Sequence, residues 1–190
     1  MYNILKRIFD ILASGIAILI LIPLLIPVII GLSLTGEGYV WYKQERLGHR
    51  NKLFFIWKFA TMLKNSANMP GGYLTVKKDP RLTPMGDFLR KSKINELPQL
   101  FNIFVGNMSI VGPRPVMKVS FESYPENVKK VIYNVKPVLT GVGSIIFRDE
   151  EELITDVGNK GGDIHDFYVN KIYPHKGNLE LWYQKNKSLI

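Results

Sequence analysis

Cysteine is missing from the 190-residue chain. That excludes a disulfide framework, a thiolate zinc site and a cysteine nucleophile. Histidine is nearly missing: His49, His165 and His175 stand apart, with no metal-ligand spacing between them. Acidic side chains are scarce, 16 against 25 Lys and Arg, which leaves a formal charge of +9. Such an excess expects an anionic partner: membrane phosphates, nucleic acid or a phosphorylated substrate. Nucleic acid is the poorest candidate, because no helix-turn-helix, RNA-binding or zinc-finger signature is present. No internal repeat or low-complexity tract occurs.

One stretch, Ile11 to Leu34, carries no charge: "ILASGIAILILIPLLIPVIIGLSL". About 20 apolar residues cross a hydrocarbon core as a helix, so the length permits a span. The run is too long for a signal peptide, and its prolines lie inside it rather than near a small-residue cleavage site. Pro23 falls at the midpoint and Pro27 one turn later. Each removes a backbone donor and clashes with the carbonyl four residues back. Both flanks are basic: Lys6 and Arg7 precede the run, and Lys43, Arg46, Arg50, Lys52, Lys58 and Lys64 follow it. The positive-inside bias then holds both ends on the cytoplasmic side. These facts predict a re-entrant helix–break–helix over residues 1–36 and a cytosolic-face domain over 37–190. A single-pass helix with a proline kink is the competing reading.

The remainder predicts an α/β fold: a small, mostly helical, membrane-associated domain with a short sheet and interfacial amphipathic helices. Residues 38–48 and 52–62 read as strands joined by a turn at His49–Asn51. Trp41, Tyr42, Phe54, Phe55 and Trp57 suit either a core or the headgroup level. Residues 68–73 read as a loop, and Asp79-Pro80 as a turn. A short helix is expected after Thr83, with Thr83 as cap and Pro84 first. Another is expected from Asn95, and residues 106–117 read as a Gly/Pro-punctuated loop. An amphipathic helix over 123–135, then a strand and an acidic stretch over 136–154, come next. The tail reads as two amphipathic helices broken at Pro174, suited to a membrane surface.

Chemistry concentrates in "RKSKINELPQLFN", residues 90–102. A helix start carries unpaired N–H groups and partial positive charge, so it stabilises a carboxylate or a bound phosphate. Asn95 and Glu96 stand there, with Arg90 and Lys91 just upstream. A plain N-cap explains Asn95 equally well. Pro113-Arg114-Pro115 is a stiffened arginine suited to bidentate phosphate contact, or simply a rigid turn. Arg148 beside Asp149, Glu150, Glu151 and Glu152 offers a cation near acids, or a solvated helix face. Carboxylates with arginines suit phosphoryl chemistry assisted by Mg²⁺.

In order, "YKQERLG…FFIWKFATM…DPRLTPMGDFLRKSKINELPQLFNIFVGNMSIVGPRP…KPVLTG" resembles the bacterial sugar transferases, the monotopic phosphoglycosyl transferases. The resemblance runs from the apolar segment to about Trp182. It implies a re-entrant anchor in the bacterial inner membrane and an α/β domain on the cytoplasmic face. It also implies transfer of a sugar phosphate from a UDP-sugar to polyprenol phosphate with release of UMP, assisted by Mg²⁺. Membrane phospholipid is a further partner, and a homo-oligomer is allowed.

Matched residue by residue, the resemblance gives Lys58, Arg90 and Arg148 phosphate-neutralising roles. Arg114, between Pro113 and Pro115, holds the loop and contacts phosphate, and Asp149 adjoins Arg148 on the substrate side. Glu96 binds metal or moves a proton. Asn95 stands where the family's nucleophilic Asp is expected. Ala60, Asn107 and Val142-Gly143-Ser144 also depart from the family pattern. Three readings of Asn95 stay open. Glu96 or an acid from Asp149 to Glu152 supplies the nucleophile or metal ligand instead, transfer is direct, or catalysis is impaired and the chain binds nucleotide sugar, lipid or a partner enzyme.

Overall fold

The computed structural model describes residues 2–70, 75, 76 and 78–186. Part of the expected loop over 68–73 therefore lies outside the described residues. Helix α1 spans Tyr2–Leu34 with Pro23 and Pro27 inside it. The expected break near Pro23 is not found, and the helix runs through both prolines. Its buried stripe, Asp10, Ser14, Leu25, Val28 and Leu32, follows the three-to-four-residue spacing of one helix face. Leu25, Val28 and Leu32 pack with Phe59 and Leu89. Burying three such side chains contributes about 1.5–3 kcal/mol each. That is comparable with the about 3 kcal/mol that each interior proline costs. Packing against the domain therefore holds the helix together where local propensity would part it.

Both ends of α1 dock on the same body. Arg7 donates to the carbonyls of Ile103 (2.6 Å) and Phe104 (2.7 Å), and Asp10 Oδ1 accepts the N–H of Ile110 at 3.1 Å. Beyond the other end, the Glu37 carboxylate accepts the N–H of Lys64 at 2.5 Å. The opposite face leaves Ile4, Ile8, Leu12, Ile16, Leu19 and Leu34 exposed.

Strands β1 (Trp41–Leu47) and β2 (Leu53–Phe59) form an antiparallel hairpin. Its turn places Arg50 and Asn51 at positive φ, 58° and 56°. Trp41 stacks on Phe59 at 5.2 Å and meets Trp57 edge-on at 6.2 Å. Ile56 and Phe59 enter the core, whereas Trp41, Tyr42 and Phe55 remain partly exposed.

Helix α2 is Gly86–Lys91, starting two residues later than Thr83 and Pro84 suggested. Residues Ile94–Glu96 form a 3₁₀ turn, and α3 is Gln99–Val105. Asn95 is thus no N-cap: it sits inside the turn with its side chain buried. Asn102 joins α3 to β2, donating to Phe55 O (2.8 Å) and accepting from Trp57 N (3.0 Å).

The stretch expected as loop contains β3 (Ser109–Val111), parallel to β4 (Val138–Thr140). The two strands cross closely at their ends. A Cβ on Gly141 would lie 2.4 Å from the Gly112 carbonyl oxygen, so glycine is required. Between them an unexpected short helix, α4 (Lys118–Glu122), precedes the expected helix over 123–135, which shrinks to α5 (Glu126–Lys129). Beyond β4 come α6 (Val142–Ile146), α7 (Glu150–Asn159), α8 (Ile164–Phe167) and α9 (Tyr173–Asn186). The expected break at Pro174 does not occur. A π-helical turn, Tyr168–Ile172, links α8 to α9, and such a turn accommodates a missing donor. The fold is mostly helical, with two short two-stranded sheets among the described residues.

Candidate functional site

The hairpin register puts Tyr42, Gln44 and Arg46 opposite Lys58, Ile56 and Phe54. Directly paired residues share a sheet face, so Arg46 and Lys58 project to the same side. Asn102 fixes β2 against α3, which carries the 3₁₀ turn and Glu96 to that side.

Glu96 meets Arg114 Nη2 at 2.5 Å and Lys58 Nζ at 3.7 Å. Arg114 stands on a loop braced from within. The Tyr133 hydroxyl donates to Arg114 O (3.0 Å) and accepts from Val116 N (2.8 Å). Pro113 O accepts from Val138 N at 2.9 Å. Pro113 and Pro115 are buried, so they stiffen the loop without facing solvent.

The electrostatics follow from this crowding. Burial alone would raise the Glu96 carboxyl, but Arg114 and Lys58 outweigh it and hold it at about 2. Burial lowers Lys58 to about 7; Glu96 opposes that shift, while Arg46, Arg114 and Arg90 reinforce it. Arg46 is lowered to about 10 by burial, with Arg114 adding to the effect. One carboxylate thus faces Arg46, Lys58 and Arg114, a standing excess of positive charge.

Arg90 reaches Glu151 at 2.6 Å rather than Glu96. Arg148 and Asp149 are exposed and line the same groove. That groove, of about 1890 Å³, is also lined by Arg46, Lys58, Asn95, Glu96 and Arg114. Asn95 Oδ1 is buried without a hydrogen-bond partner. A second network adjoins: Lys176 pairs with Glu150 at 2.6 Å, and the Tyr168 hydroxyl bonds both. Burial raises the neighbouring Glu180 carboxyl to about 7, partly opposed by a hydrogen bond from the Arg114 backbone N–H.

The family model described as bacterial sugar transferase matches residues 1–190. The chain belongs to that family. Undecaprenyl-phosphate galactose phosphotransferase of Salmonella typhimurium is 35% identical over 199 residues, covering 97% of this chain and 37% of its own. UDP-N-acetylgalactosamine-undecaprenyl-phosphate N-acetylgalactosaminephosphotransferase of Aeromonas hydrophila is 32% identical over 186 residues, covering 95% and 41% respectively. Exopolysaccharide production protein ExoY of Rhizobium meliloti is 34% identical over 166 residues, covering 80% and 73%. The chain spans about two fifths of the length of the first two relatives.

In this bacterial sugar transferase the structure gathers Lys58, Glu96 and Arg114 in direct contact. It places Arg90 beside them on another partner, and sets Arg148 and Asp149 on the exposed part of the groove. Arg46 escaped the sequence reading, which counted it only as a basic flank. The signal was the alternation Tyr42–Gln44–Arg46, which puts it on the Lys58 face once the hairpin register is set. Glu180 and Lys176 were missed because nothing local marks a tail helix as lining a groove.

The residues also bear on Mg²⁺. Among the described residues no group of three His, Cys, Asp or Glu side chains could hold a metal ion. Glu96 and the unpartnered Asn95 Oδ1 suit Mg²⁺ only as part of a shell completed by substrate phosphates and water.

Proposed function

We propose that this chain transfers a sugar 1-phosphate from a UDP-sugar to polyprenol phosphate, an initiating step of capsule, O-antigen or glycoprotein glycan assembly. The observation that carries this is the single carboxylate among Arg46, Lys58 and Arg114 in a large groove. Two negatively charged phosphates must approach one another in such a reaction, and preset cations lower that repulsion. Family membership and the names of the relatives support the same reading.

In the proposed step an oxygen of the lipid phosphate attacks the sugar-bearing phosphorus. The bond from that phosphorus to the bridging oxygen breaks, and UMP leaves with the electron pair. Arg114 and Arg46 neutralise the diphosphate. Lys58, held near neutrality, charges fully as the diphosphate arrives and steadies the leaving group. Glu96 stays ionised and orients Lys58 and Arg114. Asn95 is an amide and a feeble nucleophile, and the Glu96 carboxylate is tied to Arg114 and Lys58 with its pKa lowered; both favour direct transfer. Glu96, with Asn95 beside it, would hold Mg²⁺, which would supply further charge neutralisation.

The proposed seat is monotopic, on the cytoplasmic face of a bacterial inner membrane, against phospholipid. Docking of both ends of α1 on one body supports this over a crossing helix.

The test is purified protein with Mg²⁺, polyprenol phosphate and a panel of UDP-sugars, following UMP. UMP with no trappable phosphosugar-enzyme is expected. A trapped adduct would replace direct transfer by a covalent route. UDP-sugar binding with no UMP from any sugar would overturn the enzyme reading in favour of a binder.

A further inference from the structure

A second concentration of positive charge lies outside the groove, at the N-terminal end of α1. A small pocket of about 270 Å³ is lined by His49, Lys52, Leu53, Phe54, Asn107 and Lys136, with backbone from Gly48 and Gly106. Arg7 neighbours the pocket residue Gly106, where a Cβ would lie 3.1 Å from its Nη2, and its guanidinium is held by the Ile103 and Phe104 carbonyls. No carboxylate lines this pocket among the described residues.

The crowding is electrostatically uncompensated. Lys136 is lowered by burial and by Arg7, with Asp10 only partly opposing. His49 is lowered by burial, then by Arg50 and Lys136. Nearby acid is already engaged, since Asp10 is buried on Ile110 N and faces Lys6. Like charges held together without an acid favour an anion in their midst.

The surroundings identify which anion. Leu53, on the pocket wall, is 52% exposed, and Val105, just before Gly106, is 66% exposed. Phe104 of α3 packs on Gly15 of α1, and from there the exposed apolar face of α1 continues through Ile8 and Leu12. A cationic cup rimmed by exposed apolar side chains suits a phosphate that carries acyl chains.

We propose that this pocket binds the headgroup phosphate of an anionic phospholipid in the bilayer, at a site separate from the groove. Lys52 and Lys136 supply the charge, and Leu53 and Val105 meet the chains. This proposal does not depend on the reaction assigned to the groove.

The test compares binding to phosphatidylcholine vesicles with and without phosphatidylglycerol. Lys52→Gln with Lys136→Gln should lose about tenfold in the preference for phosphatidylglycerol, since each basic residue near an anionic surface strengthens attachment severalfold. Binding to pure phosphatidylcholine should not change. A charge-matched control, Lys160→Gln with Lys185→Gln, should lose about twofold or less. Equal loss in both pairs would mean diffuse electrostatics and would overturn the site, as would no loss in the first pair. Because the chain has no cysteine, Asn107→Cys gives a single labelling position beside the pocket. An environment-sensitive probe there should shift with phosphatidylglycerol vesicles and not with phosphatidylcholine alone; an equal response to both would also overturn the proposal. UDP-sugar binding by the Lys52/Lys136 variant reports the groove independently, so the two readings fail separately.

Discussion

Lys58 is the residue whose charge state responds most directly to conditions near neutrality. Lowered to about 7 from 10.5, it binds fewer protons folded than unfolded between those values. Unfolding then takes up protons, so this group makes the fold more stable as pH rises from about 7 toward 10.5. Ligand binding runs the other way, because an anionic diphosphate prefers the charged lysine. Affinity for whichever UDP-sugar of the panel binds, whose esterified diphosphate does not titrate here, should fall as pH rises from 6 to 8.5. Calorimetry without lipid acceptor should also show proton uptake below the plateau. Lys58→Arg should flatten the profile, since guanidinium stays charged. Glu180 also titrates at about 7, and the slope surviving in Glu180→Gln separates its share.

Glu96 gives a complementary prediction. Glu96→Gln leaves Arg46, Lys58 and Arg114 facing one another. The Glu96 side chain is 13% exposed and Lys58 14%, but Arg114 is 43% exposed and partly screened. The loss in unfolding free energy should therefore be about 1–3 kcal/mol, below the range for a fully buried pair. The UDP-sugar should bind as tightly or more tightly, while UMP release falls about 100-fold through lost positioning. In the native protein the pair's stabilisation is present above about 4.5 and lost as pH drops through about 2, because folding lowers the carboxyl.

At the scale of elements, α3 is the part that assembles the site, and its anchors are testable. Arg7 caps its final carbonyls, and Asn102 bonds both polar groups of its amide to β2. Arg7→Ala should lower unfolding free energy in detergent by about 1–2 kcal/mol. Asn102→Leu should cost about 2–3 kcal/mol, since it strands Phe55 O and Trp57 N. It should also loosen Lys58 relative to Glu96, weakening UDP-sugar binding. The β-hairpin was legible because its aromatic and β-branched runs flank a polar turn, and β4 was legible for similar reasons. The 3₁₀ turn at Asn95 was not, because Asn before Glu and Pro also marks an ordinary helix start. Both proline breaks were misjudged for one reason. Propensity counts the lost hydrogen bond but not Leu25, Val28 and Leu32 on the domain, nor the π turn before Pro174. The phosphate-handling cations were readable as types along the chain. Their convergence on Glu96 was not, since it depends on hairpin register and on how α3 docks.

For the whole molecule, the two faces of α1 carry opposite predictions. One face is core: Leu25 and Leu32 are 8% and 2% exposed. Leu32→Ala should destabilise the domain by about 2–5 kcal/mol, through lost transfer energy and a residual cavity. The other face is uncovered among the described residues: Leu19 and Ile20 are each 70% exposed and Ile16 is 57% exposed. A row of this length cannot stay in water without cost, and burying each such side chain in lipid contributes about 1.5–3 kcal/mol. Ile16→Asp with Leu19→Asp should therefore release the protein from vesicles at least about 100-fold, while circular dichroism and UDP-sugar binding stay intact. A hairpin plunging into one leaflet, or a helix crossing it, would respond differently. Its Leu25 and Leu32 would face lipid as much as Ile16 does, and Leu25→Asp would release it equally well without unfolding the domain. With α1 laid along the body, Leu25→Asp instead puts a charge among Phe59 and Leu89. Unfolding then precedes any change in vesicle binding, and a thermal melt in detergent tells the two arrangements apart.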